Sequence, residues 1–333
     1  MTEMARPGWR HLTALLVVSA GMLAFEVLLL RLFEFSHWHH FAGLAVALAL
    51  LGLGAAGTCL ALLGERALRW GDGLVIGGMA LQLAGLLVVL HLHSGVALRP
   101  LFAAWNPREL GLLLLVDLAA FLPFFGAGLV IGQIFARWPA QSRSIYAANL
   151  LGSGLGSAAA SLLLTAVLVE QALACVVMAL AVALLALAAA TRRVAALGMA
   201  SALALAALLT AVDPPQPAVS DFKALQRVQD LPDAERLEQS AGLRGRSSVW
   251  RSESLRVAPG LSLNWQEAIP ASDAVVLGSD RLLPLPRRYN GPPAHTRATL
   301  GGLPLQLRPD GEVLVLGSSR WQTPLAAADR RLR

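Results

Sequence analysis

The chain has 333 residues, of which 56% are hydrophobic and 14% charged, whereas soluble domains carry about 25% charged residues. That composition excludes a wholly water-soluble protein and requires that much of the chain sit in lipid. The formal charge of +6 is almost all arginine, with Lys223 the sole lysine; a membrane protein needs such charge for orientation, so no nucleic-acid partner is read from it.

In chain order, Met1 to His11 is a short basic lead with Arg6 and Arg10. The apolar run behind it continues beyond the length of a signal-peptide core, which predicts an uncleaved first helix. From Gly21 to Leu62 two apolar runs meet at a short polar knot, a transmembrane hairpin. The first run carries Glu26 and Arg31, whose charges cost roughly 2.5–3.5 kcal/mol each in hydrocarbon unless paired. The two are five residues apart and do not stack on one helix face, so each is expected to pair across helices, to anchor at the interface, or to serve transport or binding. The second run carries Gly52 and Gly54, small residues that let another backbone approach.

Further apolar runs at about 40–63, 74–92, 110–135, 146–169, 172–190 and 194–211 bring the candidate spans to seven. Asp117 lies near the middle of its run, a structural or a functional charge. His37, His39 and His40 flank Trp38 and are expected at the membrane interface rather than on a metal; His91 and His93 look similar at the far end of the third span. Gly152, Gly156 and Ala160 repeat small residues every four positions, a helix-contact stripe. Cys59 and Cys175 lie in apolar runs and form no metal spacing.

Arginine placement predicts a cytoplasmic N-terminus in a plasma or cell inner membrane. Arg6, Arg10, Arg66, Arg69, Arg137, Arg143, Arg192 and Arg193 fall on that side, and chiefly Arg31, Arg99 and Arg108 on the other. Seven spans put the C-terminal part outside the cytoplasm; six or eight put it inside.

At Ala211 the composition changes. Residues 212–218 form a Pro-rich breaker that cannot continue a helix, and beyond it charged residues return at soluble-domain frequency. The expected organisation is a helical membrane domain over 1–211, a linker over 212–218 and a small soluble domain over 219–333. Val219 to Gln229 reads as a short amphipathic helix; extended runs follow at Ser247–Arg251, Ser254–Val257, Ala274–Leu277, Ala298–Leu307 and Val313–Leu316. The last run ends at Gly317, the opening of a nucleotide-binding βα unit without its further glycines, and is read as a structural strand rather than a working cofactor loop. The fold class expected is an all-α polytopic membrane domain of about seven helices followed by a strand-rich, incomplete α/β domain.

The stretches Phe25 to Phe33, Trp38 to Phe41 leading into Leu50 to Gly57, Tyr146 to Gly152, Ser220 to Leu225, Ala258 to Asn264 and Val313 to Gly317 resemble the spermidine synthase-like membrane proteins of bacteria. In that family a polytopic segment precedes an aminopropyltransferase-type domain with a methyltransferase-like Rossmann fold; it often has Asp where Asn149 stands. The resemblance implies a glycine-rich donor loop, an acidic ribose ligand and aspartates that grip polyamine amines. Only Gly317 of these is matched, so no catalytic residue and no cofactor is assigned, and the sequence is expected to be either truncated or a membrane protein keeping the entry portion of an enzyme domain. The readings left open are a membrane scaffold or binding module, a transporter of a small cationic solute such as a polyamine with Glu26 and Asp117 in its path, and an aminopropyltransferase completed in trans. Expected partners are membrane lipid, a separate chain completing the soluble domain, or a second copy.

Overall fold

The structure, a computed structural model, describes residues 7–37, 41–191, 193–242, 245–285, 287 and 294–307. The chain forms two compact units, one of residues 1–220 with 241–243, the other of 221–240 and the residues from 244 onward.

The first unit is helical: α1 (Trp9–Ser36), α2 (Ala42–Leu63), a short α3 (Glu65–Trp70), α4 (Asp72–Gly95), α5 (Pro107–Arg137), α6 (Ser142–Leu163), α7 (Val169–Thr191) and α8 (Val194–Val212). Six of these, α1, α2, α4, α5, α7 and α8, are long and apolar enough to cross a membrane. The seventh expected span corresponds to α6, a helix of 22 residues that falls short of that apolarity because Ser142, Arg143, Ser144, Asn149, Ser153, Ser157 and Ser161 lie along it.

α1 is the central helix, in contact with α2, α5, α6 and α7. Leu15, Val18, Phe25, Leu28 and Leu29 on it are wholly buried. The helices meet through small residues. A Cβ on Gly156 would stand 2.6 Å from the Cα and carbonyl carbon of Ala20, and one on Gly152 would meet the backbone of Leu16. Because 152 faces 16 and 156 faces 20, α6 runs alongside α1 in the same direction. Gly52 lets α2 approach α5, its missing Cβ 2.5 Å from that of Phe124, whereas Gly54 has nothing within 4 Å. Gly54 therefore stands beside open space and not at the helix contact expected for it. α4 and α5 cross at Gly126, where a Cβ would lie 2.6 Å from the Gln82 amide nitrogen. Outward-facing Leu50, Leu51, Leu150, Leu151, Leu155 and Leu209 are exposed, as lipid-facing positions of a membrane bundle are.

The second unit holds α9 (Ala224–Gln229), a sheet of β1 (Glu235–Ser240), β2 (Ser247–Arg251), β3 (Asp273–Leu277) and β4 (Arg281–Leu285), and α10 (Leu303–Leu307). The sheet is an antiparallel meander in sequence order. Ser248 and Trp250 of β2 and Ala274 and Val276 of β3 are its buried positions. β1 is exposed and charged and β4 carries Pro284, two devices that discourage further strand pairing at an edge. Gly278, at φ +65°, turns β3 into β4 in a conformation that favours glycine.

Three expectations for this unit change. Helix replaces coil only over Ala224–Gln229, not from Val219. Residues 254–257 form no strand. Residues 298–307, expected to be extended, end a 3-10 turn and form α10, where Pro304 sits in the first turn and needs no N–H partner. The Val313–Leu316 run and Gly317 lie outside the described residues.

Candidate functional site

The polar groups of the helical unit gather at its two ends, with a few between. At the end where α1 begins, His11 Nε2 lies 3.0 Å from Asp72 Oδ1 at the start of α4. The Arg137 guanidinium, at the end of α5, donates to the same carboxylate and lies 4.6 Å over the Trp138 ring. Arg193, ahead of α8, reaches this end as well: a Cβ on Gly73 would lie 3.1 Å from its Nη1. Nothing in the sequence pairs these residues, since 61 and 65 positions separate the partners of Asp72 from it.

Between the ends, Ser19 Oγ donates to Asn149 Oδ1 at 2.8 Å, joining α1 to α6. Buried Gln82 donates from Nε2 to the Val18 carbonyl at 3.1 Å, leaving its Oε1 without a partner. Gln133 donates to the Ala67 carbonyl at 2.7 Å. Glu26 is half-buried on α1. Asp117, on α5, is half-buried, and its Oδ1 is shielded from solvent with no hydrogen-bond partner among the described residues. Arg31 pairs with Glu34 one turn on, Nη1 to Oε2 at 2.9 Å, so it is anchored within its own helix. Such an exposed i,i+3 pair is worth about 0.2–0.5 kcal/mol.

The opposite end is the more distinctive. α1 and α4 finish side by side, and their last turns bring together His37 and His93, ring centroids 5.8 Å apart. His93 stacks on Phe33 at 5.6 Å, and His37 lies 5.6 Å from Phe41. His37 and His93 are 3% and 2% exposed, so both rings are buried where the two helices end. His39 and His40 lie outside the described residues. His93 Nδ1 donates to the Val89 carbonyl at 3.0 Å, which leaves Nε2 as the acceptor nitrogen, without a hydrogen-bond partner among the described residues.

The segment leaving α8 covers this end. Ala218 N–H donates to the His93 carbonyl at 2.7 Å and Ser220 N–H to the Ser36 carbonyl at 3.1 Å. Pro217, Val219 and Ser220 are buried. The Pro-rich stretch is thus a docked strap that satisfies the last carbonyls of two helices, a need every helix C-terminus has.

In the second unit, Asp273 takes Arg251 Nε and Nη2 at 3.1 and 2.8 Å and Arg287 Nε at 2.8 Å. Arg251, followed by Arg287, holds the Asp273 carboxyl below its usual range. Asp233 is held low by the Ser252 hydroxyl and the Glu253 amide. Buried Lys223 reaches Asp280 at 2.5 Å. An open cleft of about 610 Å³, lined in part by Ser262, Trp265, Arg297, Thr299 and Gln306, is of small-molecule size.

Among the described residues, no group of three or more His, Cys, Asp or Glu is arranged to hold a metal ion. Six helices long and apolar enough to cross a membrane, followed by a small antiparallel unit, are compatible with a multi-pass membrane protein. No family model, no curated protein and no solved structure matches the chain.

Proposed function

We propose that this protein is a membrane scaffold or binding module, related to the spermidine synthase-like membrane proteins, that carries its small antiparallel unit on the non-cytoplasmic side of a plasma or inner membrane. The observation that supports it is the docking of Ala218 and Ser220 onto the carbonyls of His93 and Ser36. α1 begins at the end that holds Asp72 and Arg137 and finishes at the end that holds His93, so the chain leaves the helical unit at the end opposite its start. α6, though less apolar, runs alongside α1 in the same direction and is counted as a seventh passage, so with arginine keeping the start in the cytoplasm the exit is outside. The nucleoside sulfonium donors used in the family resembled are cytosolic, which favours a binding role over aminopropyl transfer.

A pair of reporters fused in turn after Arg333 tests this. Alkaline phosphatase should be active and a fluorescent protein dark; the reverse pattern refutes the orientation. Titration of the purified full chain with a nucleoside sulfonium donor should give no saturable heat; a saturable complex would restore the enzymatic reading.

A second reading, transport of a small cationic solute, is favoured by the shielded, unpartnered Oδ1 of Asp117, because carboxylates inside a membrane commonly mark ion or substrate paths. Labelled polyamine flux into vesicles that Asp117→Asn abolishes would support it; absence of flux from the purified protein would remove it.

A further inference from the structure

We propose that the end of the helical unit where α1 begins binds the phosphate headgroup of an anionic phospholipid, through Arg137 and Arg193 where they meet Gly71, Asp72 and Gly73. The site goes beyond the scaffold reading and does not depend on which side of the membrane this end faces.

Three features carry it, and the first is convergence. A Cβ on Gly71 would lie 3.5 Å from Arg137 Nη1, and one on Gly73 would lie 3.1 Å from Arg193 Nη1. Guanidinium groups from the end of α5 and from the approach to α8 therefore close on one three-residue stretch, and glycine on either side of Asp72 leaves them room. Paired guanidinium groups suit the oxygens of a phosphate.

The second is charge that the chain does not balance. The Asp72 carboxylate is already shared by Arg137 and His11, whereas Arg193 is exposed and has no carboxylate partner among the described residues. It stands beside the first turn of α4, the positive end of that helix's dipole, where a cation is disfavoured until an anion joins it. Arg66 and Arg69 on α3, Arg10 on α1 and Arg143 on α6 are exposed at the same end. Against these six arginines stand Asp72 and the exposed Glu65 among the described residues.

The third is depth. Trp9, Trp70 and Tyr146 are exposed around this end, a collar of amphipathic rings of the kind favoured at headgroup level. Gln133 holds α3 in place through the Ala67 carbonyl at 2.7 Å, and on that short helix Leu68 and Trp70 are exposed beside Arg66 and Arg69. Apolar and basic side chains together at that depth attract an anion that carries acyl chains, which is an anionic lipid.

The test uses the full chain in a neutral detergent, titrated with phosphatidylglycerol or with phosphatidylcholine of the same acyl chains and read by native mass spectrometry. Phosphatidylglycerol should be retained at least about tenfold more tightly. Arg193→Gln should weaken its retention about fivefold and leave phosphatidylcholine unchanged, which separates loss of the site from misfolding. Arg193→Lys, which keeps the charge, should retain most of the affinity. Arg108→Gln, which removes an exposed arginine at the opposite end, should bind as the parent does, and millimolar inorganic phosphate should not displace the lipid. Equal retention of the two lipids, an affinity indifferent to Arg193→Gln, a loss in Arg193→Lys or Arg108→Gln as large as in Arg193→Gln, or displacement by inorganic phosphate, which would mark a site for a soluble phosphate, would each overturn the proposal.

Discussion

Gly156 is the most demanding contact in the helical unit, and substituting it gives a sharp test of how α1 and α6 are joined. In Gly156→Ala the new methyl falls on the backbone of Ala20, 2.6 Å from its Cα and carbonyl carbon, where ordinary contact begins near 3.4 Å. The obstacle is backbone, not the end of a flexible side chain, so α6 must retreat by close to an ångström. That retreat loosens Gly152 against Leu16 and stretches the 2.8 Å bond from Ser19 to Asn149. Overpacking of this kind costs about 1–3 kcal/mol, which exceeds the roughly 0.5–1 kcal/mol that alanine gains over glycine in a helix. The control is Gly154→Ala, two residues away with nothing within 4 Å, which should be neutral to stabilising by up to about 1 kcal/mol. Reversible unfolding of the purified protein in mixed micelles measures both. If Gly156→Ala is as mild as Gly154→Ala, the two helices are not in backbone contact and the packing described for α1 and α6 is wrong.

Asp273→Ala should destabilise the second unit by about 1–2 kcal/mol, because it removes the buried carboxylate that Arg251 and Arg287 share, while Arg287 keeps Glu253 and the Ser252 carbonyl; Arg251→Ala should cost less, since Arg287 still reaches the carboxylate at 2.8 Å. Chemical denaturation of the full chain followed through Trp250 fluorescence separates them. The carboxyl of Asp273 is held below its ordinary 3.8, so its contribution is fully present above about pH 4 and is lost as pH falls further, through the folded value; stability of this unit against pH should drop in that acid window, and drop less in Asp273→Asn. Gln82→Leu should be neutral or stabilising by up to about 1 kcal/mol, because it removes an amide whose Oε1 has no partner and keeps the volume; a loss above about 2 kcal/mol would mean that the Val18 bond holds α4 to α1.

Much of the helical unit was legible because hydropathy is a local property: each long apolar run is a helix, and the Gly152–Gly156 spacing already marks the face of α6 that meets α1. What joins the helices was not legible. His11, Asp72 and Arg137 meet only after three helices are assembled, and His37 is buried only because α4 ends beside it. In the second unit, β2 and β3 carry adjacent β-branched and aromatic residues, Val249 with Trp250 and Val275 with Val276, so their runs read as strands. β1 (Glu235–Ser240) is charged and exposed on both faces and carries no such signal; it is a strand because β2 offers it a hydrogen-bonding edge. The 298–307 run misled because leucine at alternate positions mimics a strand, while Pro304 and the 3-10 turn ahead of it set a helical path.

The central claim is that the chain enters and leaves the helical unit at opposite ends. In intact cells, with Cys59 and Cys175 replaced by serine, a membrane-impermeant maleimide should label Glu267→Cys in the second unit at once, and should label Glu65→Cys, beside α3, only after the membrane is opened. Equal protection of both positions in intact cells would put the two on one side and contradict the account.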